Sequence, residues 1–128
     1  MNLSQGQNVH VSLSALGGLV DFYFLDASGF TEFEYALGHQ LRSGFHYYTE
    51  LSEKDAPSID KAASIQKDDT YYVVVANFQN VNTVSITGRI TATSDGISDS
   101  YLVILIEILF AVIVVAVVTL LWKKRKGV

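Results

Sequence analysis

Residues 101–122, Tyr-Leu-Val-Ile-Leu-Ile-Glu-Ile-Leu-Phe-Ala-Val-Ile-Val-Val-Ala-Val-Val-Thr-Leu-Leu-Trp, carry a single charge, Glu107, in 22 positions. A helix of roughly 20 apolar residues crosses a ~30 Å hydrocarbon core, so this run is long enough to span with some tilt. Tyr101 and Trp122 bracket it, where amphipathic rings settle at the two headgroup layers. Lys123, Lys124, Arg125 and Lys126 follow at once. A buried core helix of this length without a polar stripe would need a large protein around it, and a hundred other residues cannot supply one. The stretch is expected to be a transmembrane helix over 101–122, with a basic tail over 123–128.

Charge sets the expected orientation. Cytoplasmic flanks carry the Lys/Arg excess, and the four basic residues suit an anionic inner leaflet. Asp95 and Asp99 lie on the other flank, so the N-terminal domain is expected outside the cell membrane and the tail in the cytoplasm. The first residues do not read as a translocation signal: Met1-Asn-Leu-Ser-Gln lacks a basic start, and the apolar residues from Leu13 to Val20 are broken by Ser14, Gly17 and Gly18. Two readings follow, a signal trimmed or missed, or a tail-anchored protein with its domain in the cytosol.

Residues 1–100 hold 12 acidic residues against 5 basic ones, a net charge of −7. Nucleic-acid binding, which needs Lys and Arg against phosphate, is therefore not expected. About a hundred residues build one core and not two. The absence of cysteine removes disulfides, thiolate metal sites and cysteine nucleophiles together.

Within that domain, Val9, Val11 and Leu13 alternate with His10, Ser12 and Ser14, the pattern of a half-buried strand. Leu16-Gly-Gly is a turn, and Leu19 to Asp26 a strand rich in β-branched and aromatic residues. Asp26 to Gly29 reads as a turn, Phe30 to Leu37 as a short helix or irregular crossover, with Thr31 and Glu34 in capping-box spacing. Phe45 to Leu51 reads as a third strand, Ser52 to Pro57 as a polar loop and Ile59 to Gln66 as a weak strand. Thr70 to Asn77 is apolar on both faces, as a central strand would be, and Phe78 to Asn82 a polar turn. The last strand carries Val84, Ile86 and Ile90 on one side. Short strands punctuated by turns predict an all-β domain, a small antiparallel β-sandwich over 1–92, joined by a polar stalk over 93–100 to the span.

Three segments, Gly17-Gly18-Leu-Val-Asp-Phe-Tyr-Phe-Leu-Asp26, Phe45-His-Tyr-Tyr48 and Asp69-Thr-Tyr-Tyr-Val-Val-Val-Ala-Asn77, resemble the β-sandwich modules of the emp24/GOLD type and the related bacterial and archaeal pre-peptidase-like domains. The resemblance covers most of residues 7–92 and implies a jelly-roll-like winding in an accessory module that contacts proteins or ligands. A sandwich, one span and a short basic tail is also the layout of the p24 cargo receptors. Those carry a disulfide and a coiled coil that this chain lacks, while Lys124 and Lys126 have dilysine spacing.

Glu107 lies about six residues into the span, roughly 9 Å at the helical rise. A carboxylate there costs ~2.5–3.5 kcal/mol on insertion scales. It is either tolerated near the outer interface or docks on another transmembrane helix, with Ala111 one turn on allowing close approach. His10, His39 and His46 have no metal-ligand spacing, so surface or turn positions are expected, and no metal. A calcium site from Asp26 and the Asp68-Asp69 turn is a minor alternative. No serine sits in a nucleophile elbow and no glycine loop suits a phosphate, so neither enzyme activity nor a cofactor is expected. Tyr47, Tyr48, Tyr71 and Tyr72 would offer an aromatic ligand surface, with one of each pair in the core. The whole is read as an accessory or assembly subunit partnered, by itself or by another membrane protein, through its span. The alternatives are a surface binder of carbohydrate or a divalent ion on a passive anchor, or a secretory cargo adaptor.

Overall fold

A computed structural model describes residues 1–78 and 83–93, together with the backbone of 94, 97–104, 113–115 and 117–120. The strands are β1 (Asn2–Leu3), β2 (Asn8–Leu16), β3 (Val20–Asp26), β4 (Glu53–Ala56), β5 (Ser58–Ser64), β6 (Asp69–Ala76), β7 (Ser85–Ser94), β8 (Ile97–Ile104), β9 (Ile113–Val115) and β10 (Val117–Leu120). One helix, α1 (Ala27–Gly38), follows β3, and a 3-10 turn, Thr49–Leu51, precedes β4.

The strands form two antiparallel sheets. One has the order β1-β6-β3-β4, with β9 also on β6, and the other β10-β8-β7-β2-β5. The expected mostly-β, antiparallel architecture is thus present, with a helix added. The pairs β2 with β7 and β3 with β6 are nested in sequence. Register fixes the two ends of the sandwich: Asn8 faces both Ser64 and Thr93, and Leu16 faces Ser85. In the other sheet Asp26 faces Tyr71, and Asp21 faces Ala76. The short link from β5 to β6 therefore brings Asp26, Lys67 and the C-terminal part of β7 to one end. The Gly17-Gly18 turn and Phe78 lie at the other. Gly17 turns with a φ of 113°, a conformation natural to glycine.

Both central strands of the first sheet are buried on both faces because two apolar layers flank it. Val20, Phe22, Phe24, Tyr71, Val73 and Val75 face Val9, Val11, Leu13 and Ile90 of the second sheet. Tyr23, Leu25, Val74 and Ala76 form the opposite face, which α1 covers with Phe33 and the next segment covers with Phe45 and Tyr47. The doubly apolar pattern of Thr70 to Asn77 is explained by that helix. Gly88 has a φ of 149°, and a Cβ there would meet Ser12 O at 2.1 Å, so β7 and β2 approach closely only through glycine.

Several local expectations are corrected. The segment from Asp26 onward is no turn: Asp26 is the N-cap of a 12-residue helix and its side chain accepts from Gly29 N–H. Thr31 lies inside that helix, its hydroxyl on Ala27 O, so the Thr31–Glu34 capping box does not form. Phe45 to Leu51 is not a ladder strand. Its rings fill space on both sides of the sheet, and only Tyr48 N–H reaches a β3 carbonyl, that of Phe24, at 2.9 Å. The polar run after Ser52 contains β4 instead, an edge strand. Its four residues, the left-handed Asp55 (φ 52°) and the following Pro57 leave little edge for another chain to extend.

Beyond Thr91, β7 continues to Ser94, and β8 pairs back on it, Ile90 opposite Tyr101. Of the stretch read as a transmembrane helix, Tyr101–Ile104, Ile113–Val115 and Val117–Leu120 are strands, β9 lying on Val74–Ala76 and β10 on β8. No helix among the described residues is long and apolar enough to cross a membrane. Half of the stretch is Val, Ile or Thr, residues that suit strands, and periodicity alone does not separate an apolar strand from an apolar helix. The Phe78 to Asn82 turn lies, but for Phe78, outside the described residues.

Candidate functional site

At the end of the sandwich where β3 stops, four elements converge on one buried carboxylate. Asp26 is 2 % exposed. Its Oδ1 accepts from Gly29 N–H at 2.7 Å and lies 3.1 Å from His46 Nε2. Its Oδ2 takes the Lys67 ammonium at 3.2 Å and the Tyr48 hydroxyl at 3.3 Å. Burial pushes its pKa up, but the Gly29 N–H and Lys67 outweigh that, and the carboxyl sits below its ordinary range. A carboxylate so surrounded is satisfied on both oxygens, the condition under which a buried charge is tolerated.

His46 extends the network outward. Its Nδ1 lies 2.6 Å from Glu32 Oε1 on α1, and the same oxygen accepts the His46 backbone N–H at 2.9 Å. Both ring nitrogens thus face acceptor-only carboxylates, which a neutral imidazole with one N–H cannot satisfy. The Glu32 contact first, then Asp26, raises the His46 pKa against the opposing effect of burial. Glu32 is correspondingly lowered by its bonds from His46. Packing matches this: a Cβ on Gly29 would meet His46 O at 2.6 Å, so α1 and the 45–48 segment touch through glycine.

The calcium alternative meets a built-in cation. Asp26 and Asp69 do approach each other, but Lys67 bridges them, 3.2 Å from one and 3.6 Å from the other. Asp68 instead accepts the Gln5 N–H at 2.7 Å. Among the described residues no group of three His, Cys, Asp or Glu side chains could hold a metal ion. His10 pairs with Asp60 on the surface and His39 stacks on Tyr35, 4.1 Å between ring centres.

The four tyrosines do not form one surface. Tyr71 is fully buried, its hydroxyl donating to Lys67 O at 2.7 Å. Tyr72 stacks on Phe30 at 4.1 Å, half-buried. Tyr48 packs against the inter-sheet core, and Tyr47 edge-on against Tyr23 at 5.0 Å. Tyr47 also borders an open cleft of about 300 Å³ with Thr49, Ser52, Glu53, Lys54 and Lys61. Lys61 is committed there, bonding Ser52 O at 2.7 Å and Glu53 at 3.0 Å. Glu107, Ala111, Trp122, Lys123, Lys124, Arg125 and Lys126 lie outside the described residues, and Tyr101 is placed by backbone in β8.

The Asp26–His46–Glu32–Lys67 network escapes a reading of the sequence because its members are 41 positions apart at the extremes and belong to no motif. One signal was available: Asp26 three residues before Gly29, ahead of a helical run, is an N-cap pattern. Fold and network together define a two-sheet β-domain with a helix on one face and a buried, fully bonded carboxylate at one end. No protein-family model, curated protein or solved structure matches the chain.

Proposed function

We propose that the chain is a single-pass membrane protein whose β-sandwich stands outside and serves as a protein-interaction or accessory subunit, docked to another transmembrane helix through Glu107 and Ala111. The observation that carries this reading is the run over 101–122, 22 residues with one charge, followed by four basic residues. In lipid such a chain satisfies its backbone within a helix, since no water is present to do so. Without lipid the same apolar residues must be covered by protein, and strand pairing on β6 and β7 is one way to cover them. The nested pairing of β2 with β7 and β3 with β6 supports a jelly-roll-like winding of the emp24/GOLD or pre-peptidase kind, a kinship that rests on the three segments quoted above. The domain acts by binding rather than by catalysis.

The test is a mild-detergent pull-down of the full-length protein from its native membrane. A stoichiometric membrane partner lost on Glu107→Leu supports the docking subunit. A lone monomer, unchanged by Glu107→Leu, contradicts it. The cleft beside Tyr47 favours a second reading, a surface binder of a polar ligand such as a carbohydrate with the span as passive anchor. Glycan binding that Tyr47→Ala abolishes, with Glu107→Leu silent, would select that reading.

A further inference from the structure

We propose that His46 is a proton-operated latch that holds α1 and the 45–48 segment closed over the apolar layer on the outer face of the first sheet. Three elements meet at this one ring: the end of β3 through Asp26, α1 through Glu32, and the segment that carries His46 itself. Both ring nitrogens point at carboxylate oxygens, Asp26 Oδ1 at 3.1 Å and Glu32 Oε1 at 2.6 Å, so the closed arrangement requires the doubly protonated imidazolium. Losing one proton leaves a nitrogen lone pair against a carboxylate, and one of the two links must break.

Glu32 is the solvent-facing link, and its Oε1 also accepts the His46 backbone N–H. Its side chain and that of His46 are about half exposed, whereas Asp26 is enclosed and has its second oxygen held by Lys67 and Tyr48, with Asp69 behind Lys67. Beneath the latch lie Tyr23, Phe33 and Phe45, packed edge to face with ring centres 5.0 Å apart for Tyr23–Phe45 and Phe33–Phe45. Phe45 is the immediate chain neighbour of His46, so loosening the ring loosens the cover of that layer. The pKa of His46 is raised on folding, so the latch contributes fully below the ordinary histidine value and is lost as pH rises through the folded value. It is closed in mildly acid solution and opens as the pH rises. Neither His10 nor His39 sits between two carboxylates in this way: His10 meets Asp60 across the paired strands β2 and β5, and His39 lies on its own helix end.

The experiment is backbone-amide hydrogen exchange of the full-length protein in detergent micelles, read as protection factors from about pH 6 to about pH 8.5, a range that brackets histidine titration. The expected result is a loss of about tenfold in protection, the size of one lost charge-assisted hydrogen bond, for α1 and residues 45–48 as the pH rises. The ladder between β2 and β7 keeps its protection throughout. In His46→Gln the pH dependence disappears, and in Glu32→Gln its midpoint moves to lower pH. Flat protection of α1 across the range, or an equal loss in His46→Gln, would overturn the latch. If His46→Gln does not fold, Glu32→Gln decides: an unmoved midpoint is equally fatal.

Discussion

Asp26 shows how much one side chain organises here: it caps α1, receives a histidine, a lysine and a tyrosine, and is 2 % exposed. Asp26→Ala removes an N-cap worth about 1 kcal/mol and charge-assisted bonds worth about 1.5–3 kcal/mol, so unfolding in urea should come earlier by about 2–4 kcal/mol. Its pH signature is the reverse of the histidine's. A carboxyl held below its ordinary value contributes stability above that value and loses it as pH falls through the folded value. The wild type should therefore lose stability on acidification below about pH 4, where free aspartate titrates, more steeply than Asp26→Asn. Equal acid limbs in urea melts across that range would contradict the assignment. At Gly88 the issue is space and backbone angle: Gly88→Ala should cost about 1–3 kcal/mol from strain alone, with further loss from the contact at Ser12. An unchanged urea midpoint would mean that β2 and β7 separate easily.

Among the elements, strands were the most legible, because alternation along β2 and the dense β-branched runs of β3 and β6 follow directly from which faces are buried. The helix was only half legible. Its apolar face is short, Phe33 and Ala36, and its start at Asp26 carries a residue that serves turns and caps alike. Phe45 to Leu51 has strand composition, yet its rings are used to close two layers at once, a tertiary demand that overrides local propensity. The His46 network was not legible at all, since proximity of Glu32, His46 and Lys67 depends on the return of the chain across α1 and on the β5–β6 link. Phe33→Ala should cost about 3–5 kcal/mol, the range for a buried phenylalanine. Circular dichroism should report the loss of helix at lower urea than loss of the sheet. Simultaneous loss of both would show α1 to be part of the same cooperative unit as the sandwich.

At the scale of the whole molecule, two apolar demands compete for residues 101–122. In the described structure Val114 is the register partner of Val75, whereas a bilayer helix would remove it from the sandwich. The chain has no cysteine, so Val75→Cys with Val114→Cys reads this cleanly. The pair should oxidise to a disulfide in lipid-free protein and fail to do so once the protein is inserted in vesicles. Equal oxidation in both would tie the segment to β6 whatever surrounds it. The proposal that the run of 101–122 anchors the domain is tested most directly by alkaline carbonate extraction of membranes containing the full-length protein. The account predicts that the protein stays with the membrane pellet. Release into the supernatant would contradict it.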